Sequence, residues 1–251
     1  MSVPKRVTKK CVVCQAESMQ IILLSSSSFS APDLDLRPAP MARNTMQWWI
    51  QKCPKCGYVA KDIEAECPSV QDVMDTIKSD AYQSCDVRCP MPELAQDFYR
   101  QFLLATKAKD AFWALLHAAW ECDDYGDEEN ARYCRSLALE KLNLVIEQAK
   151  NKEELQVVRM DLLRRTANFD MLIQEYQGKR FSDDTLNQIA AFQLDRARSR
   201  DTACYTVTDA MNANLYRKPA SDDSNTCPRC GGRLKGIFVK RCVKCGNKLN
   251  S

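Results

Sequence analysis

The chain of 251 residues contains one histidine, seven glycines and ten prolines, and it has no long hydrophobic run. Each shortage excludes something. With His117 the lone histidine, a histidine-centred catalytic triad has one residue to build on, and a packed, hydrogen-bonded imidazole is the expected role. Four of the seven glycines sit in or beside cysteine pairs, so no glycine-rich phosphate loop is left over. The stretch Met19 to Leu24 is the longest apolar segment and is broken by Gln20, far short of the ~20 residues that a membrane helix needs. The start carries Lys5, Arg6, Lys9 and Lys10, but no apolar core of a secretory leader follows. A cytoplasmic protein with no membrane segment is expected.

Cysteine is what the chain has in excess, with fourteen. Eight form four Cys-x-x-Cys knuckles: Cys11/Cys14, Cys53/Cys56, Cys227/Cys230 and Cys242/Cys245. Two residues between cysteines let both sulfurs reach one ion from a tight turn, and two knuckles complete a closed tetrahedral shell for structural zinc. Glycine follows the second cysteine at Gly57, Gly231 and Gly246, where such a turn often requires positive φ. The rear knuckles are eleven residues apart, close to familiar zinc spacings; the front knuckles are thirty-eight apart, a long insert. Disulfides are disfavoured in a cytoplasmic chain, and a redox pair would be a lone motif. Two structural zinc ions are therefore expected. Cys67, Cys85, Cys89, Cys122, Cys134 and Cys204 read as free thiols that pack as small hydrophobes.

Charge is unevenly placed. The first ten residues and residues 226–251 carry eleven basic side chains and no acid. The formal net charge of +3 falls to about −1 once two four-thiolate zinc sites are counted as −2 each. The basic ends either meet nucleic acid or an acidic partner, or offset the charge of the thiolate clusters.

The apolar pattern divides the chain. Residues 7–66 read as a front zinc-ribbon-like module: a strand through Met19–Leu24, a loop stiffened by Pro32, Pro38 and Pro40, and a returning strand through Trp48-Trp49-Ile50. The insert would thus be a long hairpin. Residues 67–218 read as a helical body. From Glu93 to Lys218 there is no proline and glycine occurs at Gly126 and Gly178 alone, while apolar residues recur every three to four positions. Helices are expected over 153–166, 168–178, 183–200 and 202–216, with an N-cap at Asp183. Residues 219–225 form a polar linker, and 226–251 a rear zinc ribbon. The fold class is α+β, mainly helical, with a β ribbon at each end.

Helical pairs joined by short polar turns resemble tetratricopeptide hairpins, one around Phe112 to Leu139 and a weaker one from Leu155 to Phe169. The first knuckle, the run Ser28 to Pro38, Met41, Arg43 and Trp49 through Tyr58 resemble an uncharacterised bacterial family that joins such a cysteine ribbon to a tetratricopeptide-like region. Ala114–Trp120, Ala191–Gln193 and Asp201–Cys204 add to the similarity. The resemblance implies a fold and the ligands Cys11, Cys14, Cys53 and Cys56; it implies no activity. Cys67, Cys85 and Cys89 do not fit its pattern.

A non-catalytic scaffold or adaptor for a protein or peptide partner is the function expected. Arg37 and Arg43 beside the prolines, with Trp48 and Trp49, are the candidate recognition surface, since these residue types anchor interfaces. Equally, Arg37 would pair with Asp33 or Asp35 while the tryptophans dock the ribbon on the helices. Nucleic-acid binding through the ribbons is one alternative. An enzyme with a site built from Arg37, Arg43 and His117 is the other.

Overall fold

The computed structural model describes residues 2–85, 91–216, 234–235, 239–242 and 248–250. Two compact units emerge, Met1–Met211 and Asn212–Ser251. In the first unit, β1 (Val3–Lys10) and β2 (Glu17–Ser25) form an antiparallel hairpin in which Arg6 faces Ile21 and Thr8 faces Met19. The first knuckle is the turn between them. A second, two-residue pairing joins β3 (Gln51–Lys52) to β4 (Val59–Ala60), with the second knuckle as its turn. The basic residues of the first ten positions therefore lie on a strand.

The long hairpin expected across the insert does not form. The strand at Met19–Leu24 is present, but it pairs backwards with β1. Residues 40–50 return as α1 (Pro40–Arg43) and a 3-10 turn, Met46–Trp48. Trp48-Trp49-Ile50 has strand-forming composition, but local bonds override it. Pro40 opens α1 at a position where its missing N–H costs nothing. Thr45 donates to the Ala42 carbonyl at 2.7 Å and accepts from the Trp49 indole at 2.9 Å.

The helices follow as α2 (Val70–Lys78), α3 (Asp80–Ser84), α4 (Glu93–Leu103), α5 (Ala108–Asp124), α6 (Glu128–Gln148), α7 (Glu153–Arg165), α8 (Phe169–Tyr176), α9 (Asp184–Arg198) and α10 (Val207–Tyr216). Their starts are written in short polar residues. Ser69, Ser79, Asp127 and Asp183 each accept a backbone N–H at a helix start, satisfying donors the helix cannot use. Between α4 and α9 each helix packs on its neighbour in chain order, and α7 also touches α9. Helix α5 lies at the centre. Phe112, Leu115, Leu116, Ala118, Ala119, Trp120 and Cys122 are all buried on it, so apolar residues occupy most of its circumference, as in a helix covered on every side. Ribbon residues Cys11, Met46, Cys53, Val59 and Ile63 belong to the same core cluster as these α5 side chains. Ribbon and helices thus share one core.

The insert is bound into the body by charge. Asp35 is 1% exposed. One of its oxygens accepts from Trp120 Nε1 on α5 at 2.9 Å, from Arg135 on α6 at 3.3 Å and from Arg165 on α7 at 3.3 Å. The other accepts the Arg37 amide at 3.3 Å. The same segment reaches the start of α10, where Leu34 donates to the Tyr205 carbonyl and Val207 to the Pro32 carbonyl, both at 2.9 Å. A second buried node, Arg164, donates to Asp161, Gln193 and the carbonyls of Asp201 and Ala203. It ties α7, α9 and the chain before α10 together.

In the second unit, β5 (Leu234–Lys235), β6 (Val239–Cys242) and β7 (Lys248–Asn250) form a three-stranded antiparallel sheet.

Removing one partner of a buried ion cluster leaves its counter-charges stranded. Asp35→Ala therefore loses about 3–5 kcal/mol of stability, read as the shift in urea-unfolding free energy, while Asp123→Ala, whose partners Arg135 and Arg165 keep Asp35, loses less.

Candidate metal centre

The two front knuckles have the same backbone geometry. Cys11 N–H donates to the Ala16 carbonyl and Gln15 N–H to the Cys11 carbonyl, both at 2.9 Å. In the second knuckle Cys53 N–H donates to Tyr58 at 2.8 Å and Gly57 N–H to Cys53 at 2.9 Å. The residue after the second cysteine of each turn is left-handed: Gly57 has φ +75° and Gln15 has φ +59°. Glycine takes that conformation cheaply; for Gln15 it costs about 1 kcal/mol, offset by a hydrogen bond that its side-chain Nε2 donates to the Val12 carbonyl at 2.9 Å. A bond from Val12 N–H to the Ile63 carbonyl at 2.8 Å joins the first knuckle to the chain beyond the second.

These turns aim four sulfurs at one point. Cys11 Sγ lies 3.7 Å from Cys56 Sγ, and Cys14 Sγ lies 3.6 Å from Cys53 Sγ. All four lie within 4.8 Å of one another. A tetrahedron with metal–sulfur bonds of 2.3 Å has edges of about 3.8 Å, so the cluster has the size of one metal ion's shell. A disulfide would require about 2.05 Å, and the four are free thiols. Cys11 and Cys53 are fully buried.

The electrostatics favour a cation at the centre. Burial alone would raise the Cys53 thiol, but the amides of Cys56 and Lys55 and the thiols of Cys14 and Cys56 bring it down to about 7. Burial pushes the Cys56 thiol up, as do Cys14, Cys53 and Cys11 around it. Burial likewise raises Cys11, against the amides of Cys14 and Val13. The Cys53 thiolate forms easily, while Cys11 and Cys56 resist ionising. A divalent ion removes that repulsion, because coordination deprotonates the thiol outright. Cys11, Cys14, Cys53 and Cys56 can hold one metal ion, with no position left for a substrate.

Among the described residues this is the one such cluster. Cys227, Cys230 and Cys245 lie outside the described residues, and Cys242 is described as the last residue of β6. Cys89 also lies outside them. Cys85, Cys122 and Cys134 are buried, Cys67 is half-buried and Cys204 is exposed.

The four candidate recognition residues lie against the body. Arg37 is 4% exposed; its guanidinium pairs with Asp124, and not with the Asp33 or Asp35 that the internal-pairing reading named. Arg43 pairs with Asp33 at 2.7 Å and donates to the Pro38 carbonyl at 3.0 Å. Trp49 and Trp48 are half-buried, and the Trp49 ring meets His117 edge-on at 5.2 Å. Arg37 and Arg43 line one cavity; His117 lines another, with Trp113 and Tyr58. No described cavity is lined by all three. His117 is ringed by Trp49, Phe98, Trp113 and Trp120 at 5.0–5.9 Å. Burial, with a smaller push from Lys61, lowers it to about 3.

Sequence reasoning missed the buried acids. Asp35 gave no spacing signal, because its partners Trp120, Arg135 and Arg165 lie 85, 100 and 130 positions along the chain, and Glu121 sits among apolar helix residues with nothing near it in sequence to mark it. The nearest hint was the alternation Asp33-Leu34-Asp35-Leu36-Arg37, which is unusual in a proline loop.

No protein-family model matches the chain, and no curated protein or solved structure is significantly similar to it.

Two outcomes follow from the site. Elemental analysis of Cys53→Ser/Cys56→Ser finds one equivalent of metal fewer than the wild-type chain, with a lowered melting temperature. His117 binds a proton near pH 6.5 when unfolded and at about 3 when folded. Its contribution is complete above pH 6.5 and is lost as pH falls, by about 1.4 kcal/mol per unit. Between pH 6.5 and 5.0 the wild type thus loses about 2 kcal/mol more than His117→Gln, measured by urea unfolding of both proteins; equal losses would show that the imidazole does not titrate this way.

Proposed function

We propose that the protein is a metal-stapled, non-catalytic adaptor that binds a protein or peptide partner. In this reading zinc fills the front cluster, and a second zinc is held by Cys227, Cys230, Cys242 and Cys245 in the rear ribbon. The helical body is an array of tetratricopeptide-like pairs, supported by the chain-order packing of α4 to α9. Free thiols throughout the described residues suit a reducing, cytoplasmic compartment.

One observation carries the partner-binding reading: the first hairpin leaves large apolar side chains in solvent. On β2, Met19 is 63% exposed, and Ile21 and Leu24 are exposed too; Val3 on β1 and Phe29 just beyond β2 join them. Met19 and Ile21 share a face, two residues apart. A two-stranded ribbon is marginal alone, and among the described residues neither of its strands pairs with a third. Clustered exposed apolar residues mark interaction sites on soluble proteins, and an extended segment can add to such an edge. The neighbouring Lys5, Arg6 and Lys10 are exposed as well, so the complementary segment is apolar with acidic flanks.

The test is affinity capture on the intact, metal-loaded chain and on Met19→Ser/Ile21→Ser/Leu24→Ser, which alters exposed positions and should melt at the wild-type temperature. A defined protein retained by the wild type and lost by the variant is the expected result. Equal retention by both, or retention of nucleic acid alone with steep salt dependence, would overturn the reading.

A further inference from the structure

A cavity of about 440 Å³ lies between α4, the end of α5 and the residues around α1. Four carboxylates line it, Glu93, Asp97, Glu121 and Asp124, against one arginine, Arg43. Most of this charge is already matched. Asp97 pairs with Lys52 and Arg100, both at 2.9 Å; Asp124 pairs with Arg37; Arg43 pairs with Asp33. Two acids remain. Glu93 is exposed at the rim. Glu121 is 8% exposed, and among the described residues its carboxylate forms no hydrogen bond or ion pair. Burial raises its pKa, and the Asp124 charge adds to the effect against Arg37.

A buried carboxyl without a partner is costly, and a helix carrying apolar residues at nearly every neighbouring position had no packing reason to place one there. The carboxylate opens onto the cavity, so a ligand can supply the missing partner. The ligand is not a bare metal ion. The four cysteines form the one described group whose ligand atoms converge closely enough to hold an ion, and the four acids do not. Spread carboxylates suit a cation with several N–H donors in a plane, which is guanidinium. Met46, Leu94 and Tyr125 supply the apolar wall along which an aliphatic stem lies, and Tyr125 is exposed enough to present its ring to the charge.

We propose that this cavity binds an arginine side chain of a partner peptide, with Glu121 as the deep carboxylate and Glu93 as the outer one. The assignment rests on the partner-binding reading and adds the chemistry of a second contact point, separate from the exposed hairpin.

The test is an NMR titration of the full-length, metal-loaded protein with Nα-acetyl-arginine amide, its neutral isostere Nα-acetyl-citrulline amide, and Nα-acetyl-lysine amide. The expected result is saturable shifts confined to residues lining the cavity with the arginine probe. The lysine probe binds more weakly, and the citrulline probe produces no saturable change. Glu121→Gln weakens the arginine probe roughly tenfold without lowering the melting temperature, because it removes an unmatched charge; Glu129→Gln, outside the cavity, leaves binding unchanged. Absence of a saturable response, equal response to citrulline, or full affinity in Glu121→Gln overturns the assignment. The hairpin variant binds this small probe like the wild type, so failure of the hairpin surface and failure of the cavity are told apart.

Discussion

Four sulfurs from two turns thirty-eight residues apart must meet within the radius of one ion. That constraint organises the first unit. It fixes two tight turns back to back and forces the left-handed backbone at Gln15 and Gly57. It also closes the long insert into a loop whose closure entropy would otherwise oppose folding. A cluster of this kind shifts its free energy of folding onto the metal. An ion held at one end of β1–β2 and β3–β4 would do what a large core does for a bigger sheet.

The insert, held at its base by sulfur, is held along its length by charge. Asp35 gathers Trp120, Arg135 and Arg165 from three successive helices, and Arg164 performs the same service further along. A buried carboxylate is stable there because every lone pair it turns inward meets a donor, and because the guanidinium groups share their charge with Asp123 and Asp124. The burial raises Arg37 from a surface candidate to a member of this interior lattice. Arginine in a proline loop is equally good chemistry for recognition and for internal cross-linking; the second use prevails because the carboxylates it meets are held on α5 and by the loop itself.

Four thiolates around one ion would leave it no open coordination position. The sulfur shell is closed, and the imidazole is kept neutral by an aromatic cage. What the molecule presents outward is shape and charge: an apolar hairpin with basic flanks and, elsewhere in the same unit, a cavity with two carboxylates to spare. The proposed adaptor reading rests on surfaces of this kind.

The front ligand set was legible in the sequence because Cys-x-x-Cys is a local device: the spacing itself creates the turn. Helix starts at Asp127 and Asp183 were legible for the same reason, since a cap reads its own next three residues. The helical stretch after Pro92 announced itself by period and by the absence of breakers. Strand pairing was not local. Met19–Leu24 is a strand in either arrangement, and nothing within it says whether β1 or residues 45–51 will be its neighbour; the short-range bonds of Thr45 and the return of β1 decided that. The charge lattice was less legible still, because Asp35 and its arginine partners lie up to 130 positions apart. By itself the sequence determined which residues turn, which cap helices and which cysteine pairs could grip an ion, each a device closed within a few residues. Only the tertiary structure decided which charges are buried together and which apolar residues stay in solvent, because both depend on distances that no spacing along the chain encodes.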